Sequence, residues 1–460
     1  MTSHEVAKLL REHHFAQRVE YARRRAAQSY EPWPSSGPAG PGHDSGASLW
    51  NLLHLGSLAP SSLDSALTGQ LADLGLTDRH SGPGKWELTA FRGVLAARDR
   101  AERPGTGTVY IGEDSLRFVD TILDALPTGR ALDVGCGSGI TSCALARTCD
   151  DVTAVDLQEE CLEATRLSGA LNGVGERIRT WHGDFFRDFT ADTPLNCICA
   201  NLPYVPVPPD LGYSAAGNGG PDGLDLNRRL LRDARHLLDP DEGMLVMRFQ
   251  SLGDSSGPML LREIGEFAKA TGHDVSVVAD GRTVPEVRAA LTALHAQRHN
   301  PALSPDAVLA VIDAHQSRFE QPSYFACSLV SRSGGTGRVT FTDLSGGVGM
   351  DAGLAAGRAP AGAAGTAEQL YRGRAADLPD GFWELGGPPD VAAPLTALPE
   401  LVRAIGDAPR DGITGRALTE TVFADRFAAD ATRARALYVT TELMLNCLAD
   451  AGLARVQEAG

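Results

Sequence analysis

The sequence predicts an α/β fold: an open, doubly wound, mostly parallel sheet of seven strands with helical accessory units at both ends. Three observations carry that expectation. Short apolar strand candidates at residues 131–134, 152–156, 178–182, 195–201 and 243–249 alternate with helical patterns, and such alternation calls for a parallel sheet with helices on both faces. The first of these strands runs into a glycine-rich turn, Asp133-Val-Gly-Cys-Gly-Ser-Gly139, that opens a helical pattern at Ile140. The length of 460 residues exceeds what one such sheet uses and implies two or three structural units.

The units follow in order. Residues 1–28 form an N-terminal amphipathic helix whose Thr2 and Glu5 have the spacing of a capping box and whose end, Arg23-Arg24-Arg25, reads as a solvated basic turn. Residues 29–48 are rich in Pro, Gly and Ser and serve as a linker. Residues 49–107 carry helical patterns at 49–55, 62–67 and 69–76, then a hairpin over 77–91 turning near Ser81-Gly-Pro-Gly84, an order that suggests a winged-helix-like unit. Residues 108–335 hold the sheet. Its last two strand candidates, 275–279 and 324–330, make an antiparallel edge pair separated by a helical insertion at 284–318. A Gly/Ala-rich stretch and a C-terminal helical unit complete the chain over 336–460.

Composition narrows the partners. Asp and Glu number 58 against 42 Lys and Arg, a formal charge of -16, which repels a polyanion and disfavours nucleic acid. The same balance favours dimerisation or the roofing of a substrate over DNA binding for the winged-helix-like unit, so a homodimer is expected. Residues 1–14 lack an apolar signal-peptide core, and no stretch reaches the roughly 18 apolar residues of a membrane span, so a cytoplasmic protein without membrane contact is expected. Eight scattered cysteines without paired spacing read as reduced thiols, with no metal site.

Chemistry concentrates at strand ends. The turn has G-x-G-x-G spacing, and Ile140 occupies the place of the third glycine of a dinucleotide fingerprint, which argues against NAD. Asp156 closes the second strand candidate, where an acid can accept from ribose hydroxyls or cap a helix. Asp184 follows the third in His182-Gly-Asp-Phe185, and Asn201-Leu-Pro-Tyr204 ends the fourth, at the carboxyl edge where open α/β sheets bind ligands.

As a series these motifs resemble class I S-adenosylmethionine-dependent methyltransferases, and Asn201-Leu-Pro-Tyr204 resembles the Asn/Asp-Pro-Pro-Tyr/Phe motif of those acting on planar nitrogens. Gly219-Gly-Pro-Asp-Gly-Leu-Asp225 and the helix expected over 226–238 resemble the segment that follows that motif in the release-factor glutamine-N5 methyltransferases. The resemblance covers about residues 108–250 and implies a Rossmann-like sheet. It assigns S-adenosyl-L-methionine to Asp133, Gly135, Cys136, Gly137, Gly139, Asp156, Leu157, Asp184, Phe185 and Asn201, with Asp184 at the adenine amino group and Phe185 packed on its ring. Leu202 replaces the first proline of the motif. Asn201 and the backbone carbonyls of Leu202 and Pro203 are expected to accept the two N–H groups of the nucleophile, with Tyr204 stacked on it. Glu113 and Asp114, in the loop before the first strand, face a cationic substrate or cap the following helix. The favoured acceptor is a guanidino or carboxamide nitrogen of an amino acid, peptide or small metabolite, with free arginine first and specialised metabolism as the setting. A nucleobase of RNA or DNA and a protein glutamine are the alternatives.

Overall fold

The computed structural model describes residues 65–78, 84–99, 109–209, 211–283 and 323–344, scattered positions within 6–15 and 292–315, and strands at 369–373, 413–414 and 454–458. The expected capping box, the linker at 29–48, the helical pattern at 49–55 and most of the insertion lie outside the described residues.

The central sheet contains β3 (Gly129–Val134), β4 (Cys149–Asp156), β5 (Ile178–His182), β6 (Cys197–Ala200), β7 (Met244–Asp254), the two-residue β8 (Gly257–Pro258), β9 (Asp274–Thr283), β10 (Ser323–Arg332) and β11 (Val339–Asp343). Their order is β11-β9-β10-β7-β6-β3-β4-β5, with β8 paired to β7, so the sheet has nine strands where seven were expected. Neighbours from β5 to β7 run parallel, and β10 runs antiparallel to both β7 and β9. The expected antiparallel pair is present, yet β10 lies inside the sheet and β11 takes the edge. Its alternating Val-Thr-Phe-Thr pairs parallel with β9, which carries the sheet to Asp343, past the boundary expected at 335.

Side-chain alternation explains the double winding. Leu132, Val134, Ile198, Leu245 and Met247 pack on one face, against α6 (Asp225–Leu237) and α7 (Leu261–Thr271). Ala131, Cys197, Cys199 and Val246 point to the other face, against α2 (Glu113–Ala125) and α3 (Ile140–Leu145). Between β4 and β5 runs α4 (Glu159–Asn172).

The unit before the sheet departs from expectation. A single helix, α1 (Ser65–Asp73), spans the patterns read as two, because Gly69 inside a helix lowers its stability without breaking it. The hairpin is β1 (Trp86–Phe91) and β2 (Val94–Asp99), turning at Arg92-Gly93 rather than near Gly84. Both turn residues have positive φ, 51° and 72°, the two-residue geometry whose twist matches the flanking strands. Arg92 is held there by Asp120, 2.7 Å from its Nε. Gly84 instead packs against the end of the preceding helix, where a Cβ would fall 2.3 Å from the Gly75 carbonyl oxygen.

The hairpin is joined to the sheet domain through α4. Asn172 accepts from the Leu95 amide at 3.0 Å and donates to its carbonyl at 2.7 Å, and Ser168 Oγ accepts from Ala97 at 3.0 Å. Leu88, Ala90, Leu95 and Ala97 share a core with Cys161, Ala164, Leu167 and Leu171 of α4. In the tail, expected to be helical, β12 (Gln369–Gly373) pairs antiparallel with both β13 (Ile413–Thr414) and β14 (Ala454–Glu458). Sheet pairing overrides the helix-favouring composition of Ala454–Glu458. The rest of the expected tail helices lies outside the described residues.

Candidate active site

The chain leaves β3 toward β4 and β5 on one side and returns to β6 on the other. That reversal is the topological switch point at which open α/β sheets bind ligands. Val134 pairs with Ala200, so the residues that follow, Gly135 and Asn201, leave adjacent strands side by side.

Backbone bonds shape the glycine turn. The amides of Gly135 and Cys136 both donate to the Val155 carbonyl, at 2.9 and 3.0 Å, and Gly137 N donates to Asp156 Oδ2 at 3.0 Å. All three glycines have positive φ. A Cβ on Gly139 would lie 2.6 Å from Thr165 Cα, so its helix packs backbone to backbone on α4. A Cβ on Gly137 would meet nothing within 4 Å. That open, side-chain-free cradle fits an adenosyl cofactor approaching the backbone.

The acids occupy different depths. Asp133 is buried beneath the turn, with Ser142 Oγ donating to its Oδ2 at 2.6 Å, and burial pushes its pKa up to about 7 against the pull of Ser142. The bond ties the end of β3 to the first turn of α3. Asp156 is also raised by burial, partly offset by backbone donors that include Gln158 and Gly137. Leu157 N and the Cys161 thiol also bond this carboxylate, which therefore ties the glycine turn to the start of α4. Leu157 beside it is 61% exposed and offers an apolar surface. Asp184 caps the short helix α5 (Phe185–Asp188) by accepting from Phe186 N at 2.9 Å. Phe185, expected on an adenine ring, is instead buried in the core, its ring 5.0 Å from Phe186 and 5.5 Å from Phe189. A short helix starting at Phe185 turns that side chain inward.

The tetrapeptide after β6 is held by the segment that follows it. Val205 N donates to Gly217 O and Gly219 N to Val205 O, both at 2.9 Å. A Cβ on Gly219 would lie 2.7 Å from Tyr204 Cα, and one on Gly223 would lie 2.2 Å from Tyr204 O, so only glycine permits this wrap. Arg228 ties the wrap to α7, 2.6 Å from Asp222 and 3.1 Å from Glu263. His315 Nε2 lies 2.7 Å from Pro221 O, and Ala296 packs with Val205, Val207 and Leu211, so parts of the insertion lie against the same segment. Leu202 is buried, its Cδ2 3.5 Å from where a Gly135 Cβ would stand, and it fills against the glycine turn in place of the motif's proline.

Asn201 holds the feature that matters most. Its Nδ2 donates to Asp114 Oδ2 at 2.8 Å, while its Oδ1 is buried and finds no hydrogen-bond partner among the described residues. Asp114 was expected at a cationic substrate or as a helix cap. It bonds Asn201 instead, and the start of α2 is closed by Gly112 N donating to Ser115 Oγ at 3.3 Å. The side chain of Glu113 lies outside the described residues.

Sequence reasoning missed Ser142 beneath Asp133, and Thr165, whose Oγ1 donates to Gly137 O at 3.2 Å. Ser142 stands one turn into the helix after the glycines, where a hydroxyl near the preceding acid is a readable signal; Thr165 meets the turn only through tertiary packing.

Fold and site together define a class I S-adenosylmethionine-dependent methyltransferase domain, built on a Rossmann-like sheet. The family described as a methyltransferase domain matches residues 131–212. The chain resembles enzymes named for glutamine methylation. It is 34% identical over 143 residues to a ribosomal protein uL3 glutamine methyltransferase of Bradyrhizobium diazoefficiens, covering 28% of this chain and 44% of that protein. It is 30% identical over 199 residues to a release factor glutamine methyltransferase of Streptomyces coelicolor, covering 41% and 66%. The match thus spans between 44% and 66% of these relatives' own length. A ribosomal protein L11 methylase of Lactobacillus delbrueckii superposes with a TM-score of 0.29 at 14% identity, covering 50% of this chain and 85% of that one. Among the described residues no helix is long and apolar enough to cross a membrane, and no group of three His, Cys, Asp or Glu is placed to hold a metal.

Proposed function

We propose that this chain methylates the carboxamide nitrogen of a glutamine side chain in a protein or peptide. The observation that carries the reading is the buried, unpartnered Oδ1 of Asn201 beside the glycine turn. A buried acceptor without a donor costs about 1–3 kcal/mol, and an N–H of the substrate would recover it. Names of the relatives point the same way.

The cofactor supplies an electrophilic methyl on a sulfonium, and everything else falls to the protein. Gly135, Gly137 and the carboxylate of Asp156 would hold the adenosyl part, with Asp184 and Leu157 toward the adenine. Asn201 Oδ1 would accept one N–H of the planar nitrogen and a backbone carbonyl of the tetrapeptide the other, an arrangement that orients the nitrogen lone pair. Tyr204 covers the group and stabilises the positive charge that reaches the nitrogen. The surplus proton of the N-methylated amide, which is strongly acidic, would pass to water, so no strong base is needed.

A neutral acceptor suits a carboxamide better than a guanidinium, which would call for a carboxylate in direct contact. Glutamine therefore replaces free arginine as the favoured substrate. Incubation with methyl-labelled cofactor and, in turn, a glutamine peptide, free arginine and tRNA or DNA tests this. Label should enter the peptide, and label entering only arginine or only nucleic acid would sink the reading. Asn201→Ala should lower kcat by about a hundredfold or more while cofactor affinity stays within a few fold.

A further inference from the structure

We propose that Asp114 is the positioning residue that fixes which end of the Asn201 amide faces the substrate, and that it thereby lets the site tell glutamine from glutamate. The proposal rests on the carboxamide reading above. The two ends of an asparagine side chain have nearly the same shape, so their partners decide which points where. An ionised carboxylate only accepts. At 2.8 Å Asp114 Oδ2 can therefore hold Nδ2 and not Oδ1, since the flipped amide would set two oxygens against each other. The flip that remains turns Oδ1 away from Asp114, into the buried position where no described group donates to it. An acceptor reserved in that way selects a ligand that donates, and it opposes the oxygens of an acid.

Asp114 and Asn201 are 87 residues apart in the chain, and the lock works because each sits on a fixed element. Asn201 follows β6 directly. Asp114 lies in the first turn of α2, which is anchored by buried Phe118, Val119 and Ile122, and by Thr121 Oγ1 at 2.9 Å from Ser328 Oγ of β10. Glutamine at position 114 would be too long and asparagine can either donate or accept, so neither preserves the lock.

The test uses the full chain with S-adenosylhomocysteine or S-adenosylmethionine. Asp114→Asn keeps size and permits both flips; Asp114→Ala removes the partner and serves as a second variant. For both, cofactor Kd should stay within about threefold while kcat on a glutamine peptide falls about a hundredfold. The matching glutamate peptide, a poor competitor of the native enzyme, should inhibit Asp114→Asn at least about tenfold better. Without any substrate, the Asn201 side-chain amide resonances, identified by their loss in Asn201→Ala, should shift in both variants. Unchanged resonances together with unchanged kcat would overturn the proposal, as would a loss of cofactor affinity that matches the loss of kcat. If the native chain modifies no glutamine peptide, yet the resonances shift and transfer to another acceptor falls, the positioning role stands and the glutamine reading fails.

Discussion

A methyl group added at Gly137 and one added at Gly139, two residues apart in the same turn, should do different damage. Both positions have positive φ, 53° and 74°, where an L-residue costs roughly 1–2 kcal/mol. At Gly139 the new Cβ would stand 2.6 Å from Thr165 Cα, a backbone atom that cannot rotate away, so α4 has to retreat. Retreat strains two bonds, Thr165 Oγ1 to Gly137 O at 3.2 Å and Ser168 Oγ to Ser138 O at 2.8 Å, each contributing about 1 kcal/mol. Gly139→Ala should therefore lose about 3–4 kcal/mol, a fall in Tm of roughly 10 °C. At Gly137 the Cβ meets no protein atom, so the loss is confined to about 1–2 kcal/mol of backbone strain. Its methyl instead occupies open space at the turn, and, if the turn holds the cofactor, affinity for S-adenosylhomocysteine should drop at least about tenfold, or ~1.4 kcal/mol. Thermal unfolding paired with calorimetric titration reads both quantities. Equal losses of Tm in the two variants, or native cofactor affinity in Gly137→Ala, would refute the assignment of one glycine to packing and the other to the ligand.

The Asp133 carboxyl keeps its proton up to about pH 7 in the native state and loses it near 3.8 when unfolded, so stability should fall as pH rises between those values and level off above. Urea unfolding of the cofactor-free protein from pH 5 to pH 8 checks the slope, which Asp133→Asn should reduce, while Asp156, also raised by burial, keeps a share of it. Tyr204→Leu should lower kcat about tenfold or more by removing the ring face, whereas Tyr204→Phe stays within a few fold; equal losses would show that the hydroxyl matters instead. The seven cysteines among the described residues are buried, and burial pushes thiols such as Cys143 and Cys149 up to about 12, so a thiol reagent at pH 8 should leave these seven unmodified until denaturant is added.

The sheet was legible because its strands are apolar runs set between helical patterns, and Ile178–His182 was bounded to the residue. Strand ends also placed Asp156, Asp184 and Asn201 at one edge. Less legible were features decided by pairing across the chain. The Gly-Pro-Gly of residues 82–84 looks like a turn in sequence, yet the hairpin turns where twist and Asp120 favour Arg92-Gly93. Phe185 follows an acid, and an aromatic there reads as a ligand platform until a short helix rotates it into the core. The partnership of Asp114 with Asn201 has no sequence signal at all, because a carboxylate 87 positions away looks the same whether it meets a substrate or a neighbour.

Because the hairpin completes its backbone hydrogen bonding on Ser168 and Asn172 of α4, the N-terminal unit is not an interchangeable cassette. A chain cut to begin at residue 109 would bare Cys161, Ala164, Leu167 and Leu171 as an apolar strip and leave the helix that braces Gly139 without its outer wall. The seam between the hairpin and the sheet domain therefore runs along the back of the glycine turn, and any exchange of the N-terminal unit has to carry the matching face of α4 with it.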